Sequence, residues 1–455
     1  MTVSAARIET ALEGMARYAT SLSLRDLPPE VISKVKTCFL DAMSGCFAIR
    51  HDARARAALQ SVSLDQSDAC ATVVGTAHRA APTDAAFVNA VATGSTDRSD
   101  THIATATHPG IVVIPAALAV AEKRNMSGAG LIEAMVAGYE TMCRLASSLI
   151  TPELVTVFRS SGLTGPVGAA FAAARAMGLP QPEMVSAASL AAQTSAGLNA
   201  WAYAGTDEHP FHIGFASRNG VVAATLAAHG VTAAPTALDG RGGLLSGYGA
   251  QEKCRLLTDE LGARFDTLGV AHKPAPACYF AQSPAQLAAR MARETIATAD
   301  IHSVEIFVSD AAAQFPGCDN RGPMRSRQDA AMSIQFCVAS VLLNGAIDER
   351  SWGEFNDATV NELAARSRLG VDAGLSRTSP HAQGARIVVK LNSGQTIESR
   401  QDDVRSMTHD EVVGRFLAAG DPFVGSARLS EFVGIVERLE KVASVRDAMR
   451  PLATA

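Results

Sequence analysis

Residues 89–116, NAVATGSTDRSDTHIATATHPGIVVIPA, form a polar interruption between two runs of helical pattern. Amphipathic patterns precede this stretch, and apolar, alanine-rich patterns follow it. Side chains that donate or accept protons at neutral pH lie close together within it. The carboxylates are Asp97 and Asp100, the imidazoles are His102 and His108, and the hydroxyl of Thr101 lies among them. Because Ser and Thr favour local bonds to the backbone, we expect a shaped loop that forms one wall of an active site.

The composition is that of a globular protein with a large core. Of the 455 residues, 47% are hydrophobic and 19% are charged, and the length predicts at least two domains. Aromatic residues make up only 5%, while Ala and Gly are abundant, which indicates helices packed closely through small side chains. The net charge is −5 and no run of Lys or Arg occurs, so we expect no nucleic-acid partner.

The sequence predicts a cytoplasmic protein without a membrane partner. No apolar run reaches the ~18 residues that a membrane-spanning helix needs. The N-terminal residues, MTVSAARIETALEG, show no signal-peptide pattern. The eight cysteines lie in unrelated contexts without a C-x-x-C motif, which indicates reduced thiols in a core.

Helical spacing of apolar residues predicts helices along the first 268 residues. Pro29 suits the first turn of one helix, and Ser127 is a suitable N-cap for another. Further helices are predicted over 81–92, 114–124, 130–147, 165–177, 183–198 and 220–229. Since 165–177 consists mostly of Ala and Gly, we expect neighbouring helices to approach it closely at the centre of the fold.

The pattern changes after residue 268. Residues 303–309 and 386–391 have the composition of strands. Asn392-Ser393-Gly394 is a turn signal, and 395–399 would form the returning strand of a hairpin. An apolar helix is predicted over 333–343.

These patterns predict a mainly α protein. We expect a large all-helical main domain over residues 1–268 and a smaller α+β domain over residues 269–408. The final helices, within residues 409–455, are expected to pack back onto the main domain.

Polar islands interrupt the apolar pattern at residues 97–108, 201–212 and 272–279. We interpret the second, WAYAGTDEHPFH, as another loop. The third lies near the predicted domain junction, a common place for ligand pockets. Together the islands offer Asp97, Asp100, His102, His108, His209, His212, Lys273 and Tyr279 as candidate site residues.

Each candidate has an ordinary structural alternative. Asp100 is as readily a helix cap, and His108 before Pro-Gly is compatible with a plain turn. Lys273 has the alternative of an ordinary surface lysine. The H-x-x-H spacing of His209 and His212 suggests a metal, but zinc needs three or four ligands and no H-E-x-x-H motif occurs, so we predict no metal. No G-x-G-x-x-G, Walker or G-x-S-x-G motif occurs, which argues against nucleotide binding and against an α/β-hydrolase.

Taken in order, segments along nearly the whole chain resemble the MmgE/PrpD family, which includes 2-methylcitrate dehydratases, cis-aconitate decarboxylases and iminodisuccinate epimerases. The segments are DLPPEVISKVKTCFLDAMSG, DAAFVNAVATGSTDRSDTH with HPGIVVIPAALAVAE, GLIEAMVAGYETMCRL, GLTGPVGAAFAAARAMGL, HIGFASRNGVVAATLAAHGVTAAPTALDG and KPAPACYFAQSPAQLA. The resemblance implies a helical main domain with an α+β lid, a homodimer, and no cofactor or metal. It also implies chemistry beside a substrate carboxylate.

The resemblance carries over to individual residues. Those that match positions in the family's pocket are Asp97, Thr101, His108 and Lys273, with His212 and Gly214 in its H-x-G element. The chain also departs from the family. Gly94 replaces a His, Ser99 an Asp, Arg159-Ser160 a His-Pro, and His209 a Lys, and the loop before His108 is about one residue longer than in the decarboxylases. These changes indicate a different substrate or reaction.

We therefore expect a cofactor-independent lyase, a dehydratase or decarboxylase similar to 2-methylcitrate dehydratase, acting on a small dicarboxylate or tricarboxylate. Lys273, Arg159 and His212 would bind substrate carboxylates, since cations stabilise the developing negative charge. Tyr279 and His102 are further binding candidates.

His108 is the first candidate for the general acid/base, held by Asp97 or by Asp100. Thr101 would position the substrate or the loop, and His209 is the second acid/base candidate. An isomerase that uses His108 and His209 on opposite faces of the substrate stays open as an alternative, and so does a binding-only relative whose site has decayed.

Overall fold

The computed structural model describes residues 9–67, 70–294, 300–347, 352 and 354–453. Helices dominate the described residues and strands are few, which confirms the predicted mainly α class. None of the described helices is long and apolar enough to cross a membrane.

The first part of the chain is almost entirely helical. Its helices are α1 (Ala11–Ser21), α2 (Pro29–Cys46), α3 (Ala53–Gln60), α4 (Pro82–Gly94), α5 (Gly110–Arg124), α6 (Gly128–Leu149), α7 (Leu154–Val157), α8 (Ser160–Met177), α9 (Gln181–Ala192), α10 (Ala200–Ala204), α11 (His209–Ala228) and α12 (Leu244–Gly247). Two short antiparallel pairs join distant segments: β1 (Ala71–Thr72) with β2 (Arg79–Ala80), and β3 (Thr101–His102) with β4 (Val270–Ala271).

A four-stranded sheet follows. Its strands are β5 (Ile301–Val308), β6 (Ser367–Val371), β7 (Ala385–Leu391) and β8 (Thr396–Gln401), in the order β6-β5-β7-β8. The helices around it are α13 (Gln282–Glu294), α14 (Asp310–Gln314), α15 (Arg327–Met332), α16 (Ile334–Asn344), α17 (Ala358–Ala365) and α18 (Ala373–Thr378). The antiparallel pair β7-β8 confirms the predicted hairpin. Strand β6, SRLGV, was not predicted, because its own residues have little β preference and it is held by parallel pairing with β5.

The hydrophobic residues form two separate clusters. One combines helices of the first part of the chain with the last helices, α19 (His409–Val424), α20 (Ser426–Val436) and α21 (Val445–Ala448). There Phe39 lies 6.0 Å from Phe432, and Phe47 lies 6.0 Å from Phe416, between ring centroids. The second cluster surrounds the sheet, and Trp201 of α10 belongs to it.

Small residues let α8 pack at the centre of the first cluster. A Cβ added to Gly220 of α11 would lie 2.6 Å from the Ala170 nitrogen, and one added to Gly168 would lie 2.7 Å from Met142 Cβ. Only glycine allows such an approach. The predicted central position of the Ala- and Gly-rich helix is therefore confirmed, and the helix ends at Gly178, as predicted, with φ of 71°.

Three predicted boundaries were wrong. Helix α5 begins at Gly110 and carries Pro115 inside it, because Pro109 and not Pro115 stands at its N-terminus. Residues 201–212 are not a loop: they contain α10 and the first turn of α11, where Pro210 suits the N-terminal position. Helix α9 ends at Ala192, short of residue 198.

A buried ion pair of α6 anchors the segment that leads to β4. The Glu140 carboxylate accepts hydrogen bonds from the Thr267 amide (2.9 Å) and hydroxyl (2.7 Å) and from the Asp266 amide (3.1 Å). Arg144, 3.3 Å from Glu140, donates to the Asp259 and Arg264 carbonyls. A buried charge is stable only when it is paired and hydrogen-bonded, and here these bonds hold the 259–267 segment against α6.

Candidate active site

The β3-β4 pair brings the first and third polar islands together. Thr101 lies opposite Ala271 and His102 opposite Val270, and the Ile103 amide donates to the Gly269 carbonyl over 3.0 Å. The 97–108 loop is therefore fixed beside the start of the 272–279 segment, although the two are far apart in sequence.

A small cavity lies where these segments meet the N-termini of α8 and α11. Its polar lining consists of Asp97, Ser99, His108, Arg159, His209, Lys273, Cys278 and Tyr279. All three predicted islands contribute to it. Asp97 has φ of 56° and the lining residue Ala106 has φ of 51°, a left-handed conformation that costs energy in residues other than glycine and tends to occur at functional sites.

The hydrogen bonds of His108 define its tautomer. Its Nδ1 lies 2.9 Å from the Asp100 carbonyl oxygen and 3.0 Å from Thr101 Oγ1. Because a carbonyl oxygen only accepts, Nδ1 must carry the hydrogen, and Nε2 of the neutral ring keeps its lone pair. Burial, with the nearby charges of Lys273 and Arg159, holds the pKa of His108 well below its usual value. The ring is therefore neutral at pH 7 and able to accept a proton.

Two buried cations face the same cavity. Burial lowers the pKa of Lys273 to about 8, and its Nζ donates to the Ala277 carbonyl over 3.1 Å. Burial also lowers the pKa of Arg159 to about 10, and its guanidinium lies 5.7 Å from the centroid of the Trp201 ring. Both groups carry a positive charge at pH 7, so the cavity is suited to anions.

Several polar atoms of the lining have no hydrogen-bond partner among the described residues. They are Asp97 Oδ2, Arg159 Nε, His209 Nδ1 and Tyr279 Oη. Buried polar groups are nearly always paired in folded proteins, and each unpaired one costs about 1–3 kcal/mol. Four such atoms around one cavity indicate a site for a polar ligand.

The N-terminal domain of the MmgE/PrpD family matches residues 13–257, and its C-terminal domain matches residues 275–441. The chain belongs to the MmgE/PrpD family. The cis-aconitate decarboxylase-like protein oryM of Aspergillus oryzae is 25% identical over 96% of this chain and 95% of its own. Human cis-aconitate decarboxylase is 27% identical over 95% of this chain and 92% of its own. Mouse cis-aconitate decarboxylase is 26% identical over 95% of this chain and 91% of its own.

The departures of this MmgE/PrpD chain from the family pattern lie in or near the cavity. Ser99, Arg159 and His209 line it. Gly94 does not, and a Cβ added there would lie 2.8 Å from Ile213 Cδ1, so the glycine allows α4 to pack against α11. Arg159 adds a charged group to the wall, whereas Gly94 is explained by packing.

The side chain of Asp100, predicted to be catalytic or to hold His108, has a different role. Its Oδ1 accepts from the Gly110 amide over 2.9 Å and its Oδ2 accepts from the Tyr139 hydroxyl over 2.6 Å. It therefore caps the start of α5 and does not line the cavity. His108 is held by the backbone carbonyl of Asp100 and by Thr101, and Asp97 instead accepts from Gln328 over 3.4 Å. The predicted carboxylate partner of His108 was thus wrong.

Two predicted substrate-binding histidines lie outside the cavity lining. His102 Nδ1 is paired with Thr105 Oγ1 at 2.9 Å, and the ring is not part of the lining. His212 follows His209 by one helical turn, and burial, with Arg159 nearby, lowers its pKa to about 4. A neutral His212 cannot act as a cation for a carboxylate. Thr101 is buried outside the lining and positions the loop through His108.

Other lining residues were not predicted. Cys278 lies in the third island, five positions after Lys273, so its place in the sequence was a usable signal. Phe315 gives no local signal, because it reaches the wall from the sheet region.

The cavity is small. The centres of water-sized molecules have about 20 Å³ of space in it, roughly the room of one water molecule. A wider cleft meets it at Ala106, Phe280 and Phe315, and the two phenylalanine rings lie 5.0 Å apart. A substrate of several carbon atoms therefore requires these side chains to move.

A buried network of charged side chains is hydrogen-bonded to the backbone of Lys273. Arg415 of α19 donates to the Lys273 carbonyl over 2.6 Å and also to the Asp41 carboxylate. Asp41 accepts a further bond from His272 Nδ1 at 3.2 Å. Burial alone would raise the pKa of Asp41, but Arg415 and His272 outweigh it and the pKa is lowered. The last part of the chain thus helps to position the lysine.

Replacing Tyr139 by Phe should destabilise the protein in a pH-dependent way. Burial raises the pKa of Asp100 from 3.8 to about 6, so its stabilising contribution is present below about pH 4 and is lost as the pH rises through about 6. The Tyr139 hydroxyl limits that loss by donating to the ionised carboxylate. We expect Tyr139→Phe to lower the free energy of unfolding by about 1.5–3 kcal/mol at pH 7.5 and by less at pH 5.

Urea denaturation at the two pH values measures this difference. Tyr203→Phe, which changes an exposed tyrosine, is the control and should show no such pH dependence. If Tyr139→Phe lowers the free energy of unfolding equally at both pH values, the role given to Asp100 is contradicted.

Proposed function

We propose that this protein is a lyase, a decarboxylase or dehydratase, that acts on a small dicarboxylate or tricarboxylate by proton transfer next to a carboxylate. The observation that carries the proposal is one small cavity that joins a neutral histidine, His108, with two buried cations, Lys273 and Arg159. The three decarboxylase and decarboxylase-like relatives favour the loss of CO₂ over the loss of water.

The cations would bind the carboxylates of the substrate. Arg159 offers a planar guanidinium for a bidentate contact, and Lys273 a point charge. Breaking a bond beside a carboxylate builds negative charge on the substrate, and fixed positive groups in a water-poor cavity stabilise that charge. Asp97, also in the wall, balances part of the positive charge.

His108 would move the proton. In a dehydration its Nε2 takes a proton from carbon, and a second group, Tyr279 or His209, protonates the departing hydroxyl. In a decarboxylation the bond to CO₂ breaks first, and His108, protonated once the negative charge of the bound substrate raises its pKa, then delivers its proton to the carbanion. Tyr279 and His209 both have a buried polar atom without a partner among the described residues, which suits a contact with the substrate.

An isomerase is the second candidate, because His108 and His209 both line the cavity. Epimerisation requires one group to remove a proton and another to return it on the opposite face. Burial holds the pKa of both histidines well below the usual value, so each can remove a proton, and the one that returns a proton must first gain it, which the negative charge of a bound substrate would favour.

Proton NMR of a panel of polycarboxylates with the protein in D₂O tests the proposal. Formation of CO₂, or of an unsaturated product by loss of water, is the expected result. Deuterium incorporation with interconversion of stereoisomers, and no loss of mass from the substrate, would favour the isomerase. No exchange or conversion with any member of the panel would favour a binding-only protein and contradict the proposal.

His108→Gln should reduce turnover by a factor on the order of 10²–10⁴ while the fold stays intact, because the general acid/base is lost. His102→Gln is the matched control: it alters a histidine of the same loop that does not line the cavity. Steady-state kinetics and thermal unfolding are measured for both variants. If turnover falls equally in both, or in neither, the role of His108 is refuted.

The value of kcat/KM should fall as the pH rises above about 8. Lys273, whose pKa burial lowers from 10.5 to about 8, must be protonated to bind a carboxylate, and the cationic fraction decreases about tenfold per pH unit beyond its pKa. Arginine keeps its charge, so Lys273→Arg should shift the fall to higher pH. A pH–rate profile that stays flat to pH 9.5 in the unaltered protein would contradict this role.

We also propose a homodimer. Phe215, Val222 and Leu226 lie on one face of α11 and are 51%, 37% and 43% exposed. Such an apolar stripe is typical of an interface. Light scattering should give a dimer for the protein and a monomer for Phe215→Glu, whereas Val371→Glu, which alters an equally exposed valine of β6, should stay dimeric. A monomeric unaltered protein would refute the proposal.

A further inference from the structure

Two cysteines lie side by side at the cavity wall, one in the lining and one behind it. Cys278 is partly exposed and lines the cavity, while Cys318 is buried. Their sulfur atoms are 3.8 Å apart, and the Cys318 thiol donates to the sulfur of Cys278. A disulfide requires a separation of about 2.05 Å, so the sulfurs would need to approach by somewhat less than 2 Å.

The backbone keeps the two thiols adjacent. The Cys278 amide donates to the Ala331 carbonyl over 2.8 Å, and the Cys318 carbonyl accepts from the Ile334 amide over 3.0 Å. Both cysteines are therefore hydrogen-bonded to the backbone where α15 meets α16. Cys318 belongs to the second hydrophobic cluster, and Cys278 packs against it.

The surroundings favour a thiolate at Cys278. The hydrogen bond from Cys318 lowers the pKa of Cys278, burial opposes this, and the Phe280 amide with the charges of Lys273 and Arg159 lowers it further. The pKa of Cys318 is raised well above its usual value by that same bond and by burial. Since the thiolate is the reactive form, Cys278 is the nucleophile and Cys318 the second thiol.

We propose that Cys278 and Cys318 form a redox modification site that a peroxide converts to a disulfide. The Cys278 thiolate attacks one oxygen of hydrogen peroxide, the O–O bond breaks, and the products are a sulfenic acid and hydroxide, which leaves as water. Cys318 then attacks the Cys278 sulfur, the S–OH bond breaks, and the hydroxide departs as water with the Cys318 proton. Two thiols are oxidised and one peroxide is reduced to two waters.

The disulfide would change the cavity in two ways. It draws the Cys278 sulfur toward Cys318, and it removes an ionisable thiol beside Lys273 and Arg159. Both changes act on the groups that face an anionic ligand. Formation of the disulfide requires only the two thiols and a peroxide, so its test does not depend on the reaction that the protein catalyses.

Peptide mapping of the intact protein tests the inference. The protein is treated with hydrogen peroxide, free thiols are alkylated, and the digest is compared with and without a reductant. We expect a cross-linked pair of peptides that contain Cys278 and Cys318, and its disappearance after reduction. Cys254, the other partly exposed cysteine among the described residues, is the internal control and should react on the order of tenfold more slowly than Cys278.

Variants test the order of the two steps. In Cys318→Ala, Cys278 should accumulate as a sulfenic acid that dimedone traps, whereas Cys254→Ala should still form the cross-link. Thermal unfolding checks that Cys318→Ala is folded; if it is not, dimedone trapping at early times in the unaltered protein replaces it. Oxidation of Cys278 no faster than that of Cys254, or the absence of the 278–318 cross-link, would overturn the proposal.

Discussion

The site depends on one small backbone pairing, that of Thr101–His102 with Val270–Ala271. It joins the loop that carries Asp97 and His108 to the segment that carries Lys273. Each side is anchored independently: Asp100 ties the loop to Gly110 and Tyr139, and Glu140 ties the approach to β4 to α6. Two residues of pairing suffice because both segments are already anchored to packed helices.

Burial governs the electrostatics of the cavity. It lowers the pKa of every cationic or imidazole group in the wall, so that the histidines are neutral while Lys273 and Arg159 remain charged. Unpaired polar atoms and left-handed residues around the same space reduce stability. The extensive small-residue core of α6, α8 and α11 offsets these losses of stability. Functional sites are typically less stable than the rest of the fold that supports them.

The candidate residues show where sequence reasoning succeeded and where it did not. Asp97 and Asp100 lie three positions apart in the same loop, yet only Asp97 lines the cavity, because Tyr139 and the start of α5 take both oxygens of Asp100. His209 and His212 differ in the same way: the first faces the cavity and the second does not. Local sequence cannot distinguish such neighbours, since their partners come from distant helices. The division into domains at residues 268 and 408 stays a prediction.

The sequence by itself determined the mainly α class, the helix caps and stops, the β7-β8 hairpin, the central Ala- and Gly-rich helix and membership of the MmgE/PrpD family. The structural elements follow from periodicity and turn chemistry, which are local. Family membership follows from the resemblance of segments that occur in the same order along the chain. Only the tertiary structure decided which side chains meet in the cavity, which nitrogen of His108 carries the hydrogen, and that Cys278 lies beside Cys318. Those features depend on burial and on contacts between segments far apart in sequence, and no single stretch of the chain contains that information.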